Sequence, residues 1–315
     1  MSPEPVRRTA EIEEITNLYF IHPLASRFVP LAARMGLTPN ALTVTGMLFG
    51  LLAGLAYYHY PDPRFAVAGF ILMIGWHIMD GADGQLARLT QTQSHFGKVL
   101  DGISDTATFL AVYTALALAL ARTYGARAYA LIFVAGLFHA IQSATYEVQR
   151  QEYELWGRGR KSGGGEAPRA SRAPAGAARA GPESGPGSAR ASRVDRLFDF
   201  LHRLFYGRLS FPAADVTRKI NASMAAALDR EPERAALIRE QYRQVFAPLV
   251  RRFALLSANY RTLGIFVCAL FAVPQYYFWF EIVGFGAILA LLIANEYACY
   301  RRLLATLAAA HAPSP

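Results

Sequence analysis

Residues 65–121 read FAVAGFILMIGWHIMDGADGQLARLTQTQSHFGKVLDGISDTATFLAVYTALALALA, and the order of residue types in this stretch decides the fold. A charge-free apolar run, 65–79, leads into a segment of Asp and Gly, and a second charge-free run, 106–121, leads out of it. Asp80 and Asp83 close the first run; Asp101 and Asp105 open the second. Spacings of three and four put each pair on one face of a helix. The short polar stretch between them, 91–96, predicts a turn, so the two helices are antiparallel neighbours with all four acids at the same end.

Outward from this pair, four more runs lack Asp, Glu, Lys and Arg: 41–60, 128–146, 262–280 and 282–295. A helix needs about 20 mostly apolar residues to cross a bilayer. The longer runs meet that alone, and the shorter ones meet it when the helix extends through flanking polar residues. Soluble helices keep a charged face, and these runs have none. The expectation is an all-α membrane protein. Six transmembrane helices follow an N-terminal interfacial amphipathic helix, and a cytoplasmic helical and disordered insertion separates spans four and five.

The boundaries follow from composition. Residues 1–17 form a polar, mobile tail, and no cleaved leader is expected in the first forty residues. Residues 18–36 form the interfacial helix, interrupted at Pro23 and Pro30, with Arg27 and Arg34 able to reach lipid phosphates. Thr38 suits an N-cap and Pro39 the first helical turn, which starts span one. Residues 38–156 hold spans one to four. Residues 157–193 are Gly, Ala, Pro, Ser and Arg with almost no large apolar residue, which predicts a disordered linker. The insertion continues as helix over 194–250, with an amphipathic stretch at 194–207. Residues 251–306 hold spans five and six, joined by a tight turn near Phe280, and 307–315 is a tail. Cys268 and Cys299 are too few and too far apart for a metal cluster and read as packing residues.

A net charge of +9 raises the question of nucleic acid. The placement of the charge argues against it. With six spans and both termini on one side, the opposite side receives only Arg64, Arg122 and Arg127 of the 32 basic residues. That is the positive-inside pattern, and it puts the termini, the insertion and the four acids at the cytoplasmic face.

Four carboxylates gathered at one depth repel one another, and no cluster of lysines in the spans compensates them. Bound cations do. Carboxylate oxygens are hard ligands that suit Mg²⁺ or Mn²⁺, and four acids suffice for two such ions. Gly81, Gly84, Ala87 and Gly97 leave room for a ligand or a helix to approach the backbone. Arg88, one turn beyond the first acids, suits a phosphate. Close helix packing explains the glycines equally well, but not the aspartates.

Residues 80–105 follow the pattern D-x2-D-G-x2-A-R-x8-G-x3-D-x3-D. This resembles the signature of the CDP-alcohol phosphatidyltransferase family at every fixed position. The segment TPNALT, 38–43, resembles the family's entry to its first span, as does the plan of an interfacial helix followed by six spans. The long insertion departs from many bacterial members. The resemblance implies that Asp80, Asp83 and Asp101 ligate divalent metals, and that Asp105 completes the site and acts as general base. It implies that Gly84, Ala87, Arg88 and Gly97 surround the CDP moiety. It implies a homodimer in the bacterial inner membrane.

The implied reaction passes a phosphatidyl group from CDP-diacylglycerol to a small polar alcohol and releases CMP. Asn259, Arg261, Arg301 and Arg302 are placed at the cytoplasmic ends of spans five and six, as acceptor-binding candidates. An arginine cluster favours a phosphorylated acceptor such as a polyol phosphate, while positive-inside anchoring explains the same residues, and both readings stay open. Within the family the roles can be reversed, with another CDP-alcohol donating its headgroup to diacylglycerol or a ceramide. A cation-coupled transporter predicts charges midway along several spans or inverted repeats, whereas these acids cluster at one end of two adjacent helices.

Overall fold

A computed structural model describes residues 11–159 and 214–309, and every regular element among them is helical. A single π-turn, Asn17–Ile21, leads into α1 (His22–Arg34). The next four helices are α2 (Pro39–Tyr58), α3 (Pro63–Leu89), α4 (His95–Tyr124) and α5 (Ala126–Arg158). After the undescribed segment come α6 (Ala214–Arg230), α7 (Ala235–Phe253), α8 (Ala258–Leu270) and α9 (Pro274–Ala309). Six runs are long and apolar enough to cross a membrane: α2, α3, nearly all of α4, α5, the run Pro232–Leu270 that contains α7 and α8, and most of α9. Six apolar helices make this an integral membrane protein.

The helices begin where the local chemistry says they should. Thr38 Oγ1 accepts the Ala41 N–H at 3.2 Å, the Asp62 carboxylate accepts the Arg64 N–H at 2.9 Å, and Ser94 Oγ accepts the Gly97 N–H at 3.0 Å. Pro39 and Pro63 stand in the first turns, where a missing N–H is harmless.

The chain divides into two compact units. The first comprises Met1–Ser143 and Arg251–Leu289. Its core gathers Tyr57 of α2, Met73 and Trp76 of α3, Leu116 of α4, Ile132 of α5 and Phe278 of α9. The second comprises Ala144–Val250 and Ala290–Pro315. Its interior is partly polar. Trp156 Nε1 donates to Glu152 at 2.8 Å and to Asn221 Oδ1 at 2.6 Å, and Asn221 Nδ2 donates to Glu152 at 3.0 Å. Glu296 Oε1 accepts Gln149 Nε2 at 2.9 Å and Thr217 Oγ1 at 3.1 Å. At the start of α6, a hydrogen bond and the positive charge of Lys219 hold the Asp215 carboxyl below its usual range.

Three expectations change. Pro23 and Pro30 do not interrupt the N-terminal helix: Pro23 sits in the first turn of α1, and Pro30 lies inside α1 without ending it. Ala25, Val29 and Ala32 of α1 pack against Leu42, Ala82 and Leu86, and this burial holds the helix together. The stretch 11–17 is not a mobile tail. Ile12 and Glu14 are buried, the Glu14 carboxylate accepts Ser257 Oγ at 2.7 Å and Asn259 Nδ2 at 2.6 Å, and Arg251 donates to the Glu11 carbonyl at 2.6 Å. The turn between the last two spans is not near Phe280. It lies between Leu270 and Pro274, with Ala272 at φ 58°, and Glu281 is fully buried inside α9. A buried carboxylate survives there because Arg261 of α8 pairs with it at 3.0 Å. The linker expected at 157–193 lies outside the described residues from 160 onward, as does the amphipathic stretch 194–207; the described part of the insertion, from 214, is helical.

Candidate active site

The site is built on the end of α3 and the start of α4. Asp80, Gly84, Ala87 and Arg88 share one stripe of α3, at intervals of three and four. The other faces of α3 are occupied. Toward α1, Gln85 accepts Ser26 Oγ at 2.8 Å, and a Cβ on Gly81 would touch Ile21 and Ala25. Toward α2, Asp83 is buried and accepts a short hydrogen bond from Thr43 Oγ1. On α4 the matching stripe is Gly97, Asp101 and Asp105. The connection is tight: α3 ends at Leu89, Gln91 takes φ 55°, Thr92 N–H returns to the Ala87 carbonyl at 3.0 Å, and α4 starts at His95.

This arrangement brings Asp80, Asp101 and Asp105 together, with one carboxylate oxygen of each within 4.8 Å of the others. Two full charges at that separation repel by about 3.5 kcal/mol at an effective dielectric of 20. Carboxylate oxygens gathered this closely are the hard donor set that a divalent cation takes. Asp83, three residues from Asp80 on α3, has its Oδ2 bonded to Thr43 of α2.

The Arg88 guanidinium folds back over Gly84, with a nitrogen 3.4 Å from where a Cβ there would stand. A Cβ on Gly97 would stand 3.3 Å from Asn40 Oδ1, so the first turn of α2 lies against the first turn of α4. Thr43 and Asn40 are the residues that sequence reasoning left out of the site. The available signal was a set of polar side chains in the opening turns of a helix that is apolar beyond them.

Arg261 is fully buried in the first unit. Its guanidinium donates to Glu281, to Gln142 Oε1 at 2.7 Å and to the Leu256 carbonyl. The sequence offered Arg261 as an acceptor candidate at a span end; a buried guanidinium takes internal acceptors instead, and those are on α5, α9 and the turn before α8. Asn259 Nδ2 is committed to Glu14, to Thr16 at 2.9 Å and to Asn17 at 2.7 Å. Arg301 and Arg302 are exposed and belong to the second unit.

Residues 36–163 match the CDP-alcohol phosphatidyltransferase family. This part of the chain is a CDP-alcohol phosphatidyltransferase domain. It takes in α2 to α5, and so both acid-bearing helices and their α2 neighbour. The chain is similar to an archaetidylinositol phosphate synthase of Pyrococcus horikoshii, 38% identical over 86 residues, which are 27% of this chain and 44% of that one. It is similar to a bifunctional IPC transferase and DIPP synthase of Aquifex aeolicus, 37% identical over 81 residues, or 26% of this chain and 18% of the other. A CDP-diacylglycerol–serine O-phosphatidyltransferase of Helicobacter pylori is 33% identical over 73 residues, 23% of this chain and 29% of its own. The matched stretch thus spans less than half the length of each of these relatives. CDP-alcohol phosphatidyltransferases use divalent cations, and the Asp80–Asp101–Asp105 group is one that could hold such an ion.

Proposed function

We propose that the protein transfers a phosphatidyl group from CDP-diacylglycerol to the hydroxyl of a small polar alcohol and releases CMP. The observation that carries this reading is the convergence of Asp80, Asp101 and Asp105 at the junction of α3 and α4, within a phosphatidyltransferase domain. Asp80, Asp101 and Asp105, with Asp83, would hold Mg²⁺ or Mn²⁺, which would supply charge to bind the pyrophosphate and to stabilise the leaving CMP. Arg88, on the same stripe as Asp80, binds phosphate oxygens. Gly84, Ala87 and Gly97 keep the approach to the backbone open for the nucleotide.

Asp105 takes the proton of the acceptor hydroxyl. The hydroxyl oxygen bonds to the phosphorus distal to cytidine, the bond from that phosphorus to the bridging oxygen breaks, and CMP leaves with the electron pair. The products are a phosphodiester and CMP, with the proton on Asp105. The concentration of basic residues on one side of the spans supports an active site facing the cytoplasm of a bacterial inner membrane.

The test is CMP release by the purified full-length protein from CDP-diacylglycerol with Mn²⁺ or Mg²⁺, against a panel of inositol phosphate, glycerol phosphate, inositol and serine, with the lipid product identified by mass spectrometry. We expect release that depends on both the metal and one member of the panel. Asp105→Asn should lower turnover by at least about 100-fold, the scale of a general base, while Mn²⁺ still binds. Unchanged turnover in that variant would remove Asp105 as the base, and ion movement across vesicles without nucleotide cleavage would replace the enzyme with a transporter.

A further inference from the structure

We propose that Thr43 is a positioning residue for the metal centre, acting through Asp83. The proposal deepens the phosphatidyl-transfer reading and rests on it for its activity measurement alone. Thr43 and Asp83 are 4% and 7% exposed, so bulk water does not reach their contact. The Thr43 hydroxyl has one proton and two acceptors in reach: the Pro39 carbonyl, one helical turn back at 3.1 Å, and Asp83 Oδ2, which is closer. A single proton serves the charge-assisted contact first, so it goes to Asp83.

Asp80, Asp101 and Asp105 bring oxygens together on the site stripes of α3 and α4. Asp83 lies three residues from Asp80 on the same helix but on the face turned to α2. A carboxylate accepts along about four lone-pair directions, so a hydroxyl on Oδ2 sets the plane of the group without exhausting it. Partners of this kind orient ligands and tune the ion, and their loss typically weakens metal affinity by about 10–100-fold.

A second observation places α2 against both acid-bearing helices. A Cβ on Gly50 would collide with Thr108 of α4, and Asn40 Oδ1 lies beside Gly97 of α4, while Thr43 reaches Asp83 of α3. The first turns of α2 are a third wall of the site, and Thr43 is the point where that wall touches a carboxylate.

The experiment measures Mn²⁺ binding to the purified full-length protein by electron paramagnetic resonance, with no substrate present, for the unaltered chain, Thr43→Val and Thr43→Ser. The half-saturating Mn²⁺ concentration for CMP release is measured in parallel. Thr43→Val should raise both the Mn²⁺ dissociation constant and the half-saturating concentration by about 10-fold or more. Turnover at saturating Mn²⁺ should return to within a few-fold of the unaltered protein. Thr43→Ser keeps the hydroxyl and should restore both values. A packing role alone would lower the unfolding midpoint of the metal-free protein and leave Mn²⁺ affinity unchanged, and that result overturns the proposal. If Val itself lowers the midpoint, Thr43→Ala removes the same hydroxyl with a smaller side chain and is read against the same criterion. Absence of Mn²⁺ binding by the unaltered protein would instead overturn the metal centre, which is a separate failure.

Discussion

Arg261 carries its charge into a place without solvent, and the side chains around it show what that demands. Glu281 faces it at 3.0 Å, Gln142 takes a second guanidinium nitrogen at 2.7 Å, and Tyr277 donates to the same carboxylate. Tyr113 extends the network to His139 Nδ1 at 2.9 Å. Removing one member of a buried ion pair leaves an uncompensated charge and costs about 3–5 kcal/mol, whereas replacing both by apolar residues of similar volume is often neutral. Glu281→Gln should therefore sharply lower the unfolding midpoint in detergent, and the double variant Arg261→Met with Glu281→Met should recover most of it. A double variant as unstable as the single one would show that the network acts through contacts other than the ion pair. In the sequence, Arg261 borders the apolar run 262–280 and Glu281 separates that run from 282–295, so each reads as a boundary residue. Their partnership across 20 positions is a property of packing, and no local pattern carries it.

At the scale of elements, α2 shows how closely these helices approach. Gly46, Gly50 and Gly54 repeat every four residues and are buried. A Cβ on Gly54 would stand 2.9 Å from the backbone carbonyl carbon of Ala111, and one on Gly50 would stand 2.1 Å from Thr108 Oγ1. Small residues at this spacing let helix backbones pack without side chains between them. Thr108 is itself a side chain and can shift, but the Ala111 backbone cannot move without moving α4, and α4 carries Asp101 and Asp105. Gly54→Ala should cost about 1–3 kcal/mol by overpacking, seen as a lower melting midpoint, and a midpoint within error of the unaltered protein would show that α2 and α4 have slack. Helix existence was legible here: uncharged runs of sufficient length form helices whatever their partners. The α3–α4 turn was legible as well, because a few polar residues between two such runs leave little else for the chain to do. The turn before α9 was misplaced because Glu281 resembles the edge of a span, while Pro274, the actual start, sits within apolar sequence.

At the scale of the whole molecule, the two units hold together by different means. The first has a continuous apolar core with the Arg261 network inside it. In the second, polar side chains of α5, α6 and α9 satisfy one another: Glu152 and Trp156 with Asn221, Gln149 and Thr217 with Glu296. Asn221 is 1% exposed, so Asn221→Ala leaves buried groups without a partner at about 1–3 kcal/mol. Limited proteolysis should then cut faster within α6, and an unchanged digestion pattern would mean that α6 is held by its apolar contacts, Val216, Ile220 and Met224. By itself the sequence determined the helical class and the span count, because hydrophobic length is a local quantity, and it singled out four acids by their three- and four-residue spacings. Only the tertiary structure decided that three of those acids meet while Asp83 turns to Thr43, and that Arg261 is buried with Glu281. Those outcomes depend on which helix faces come into contact, and contact is a relation between residues far apart in the chain.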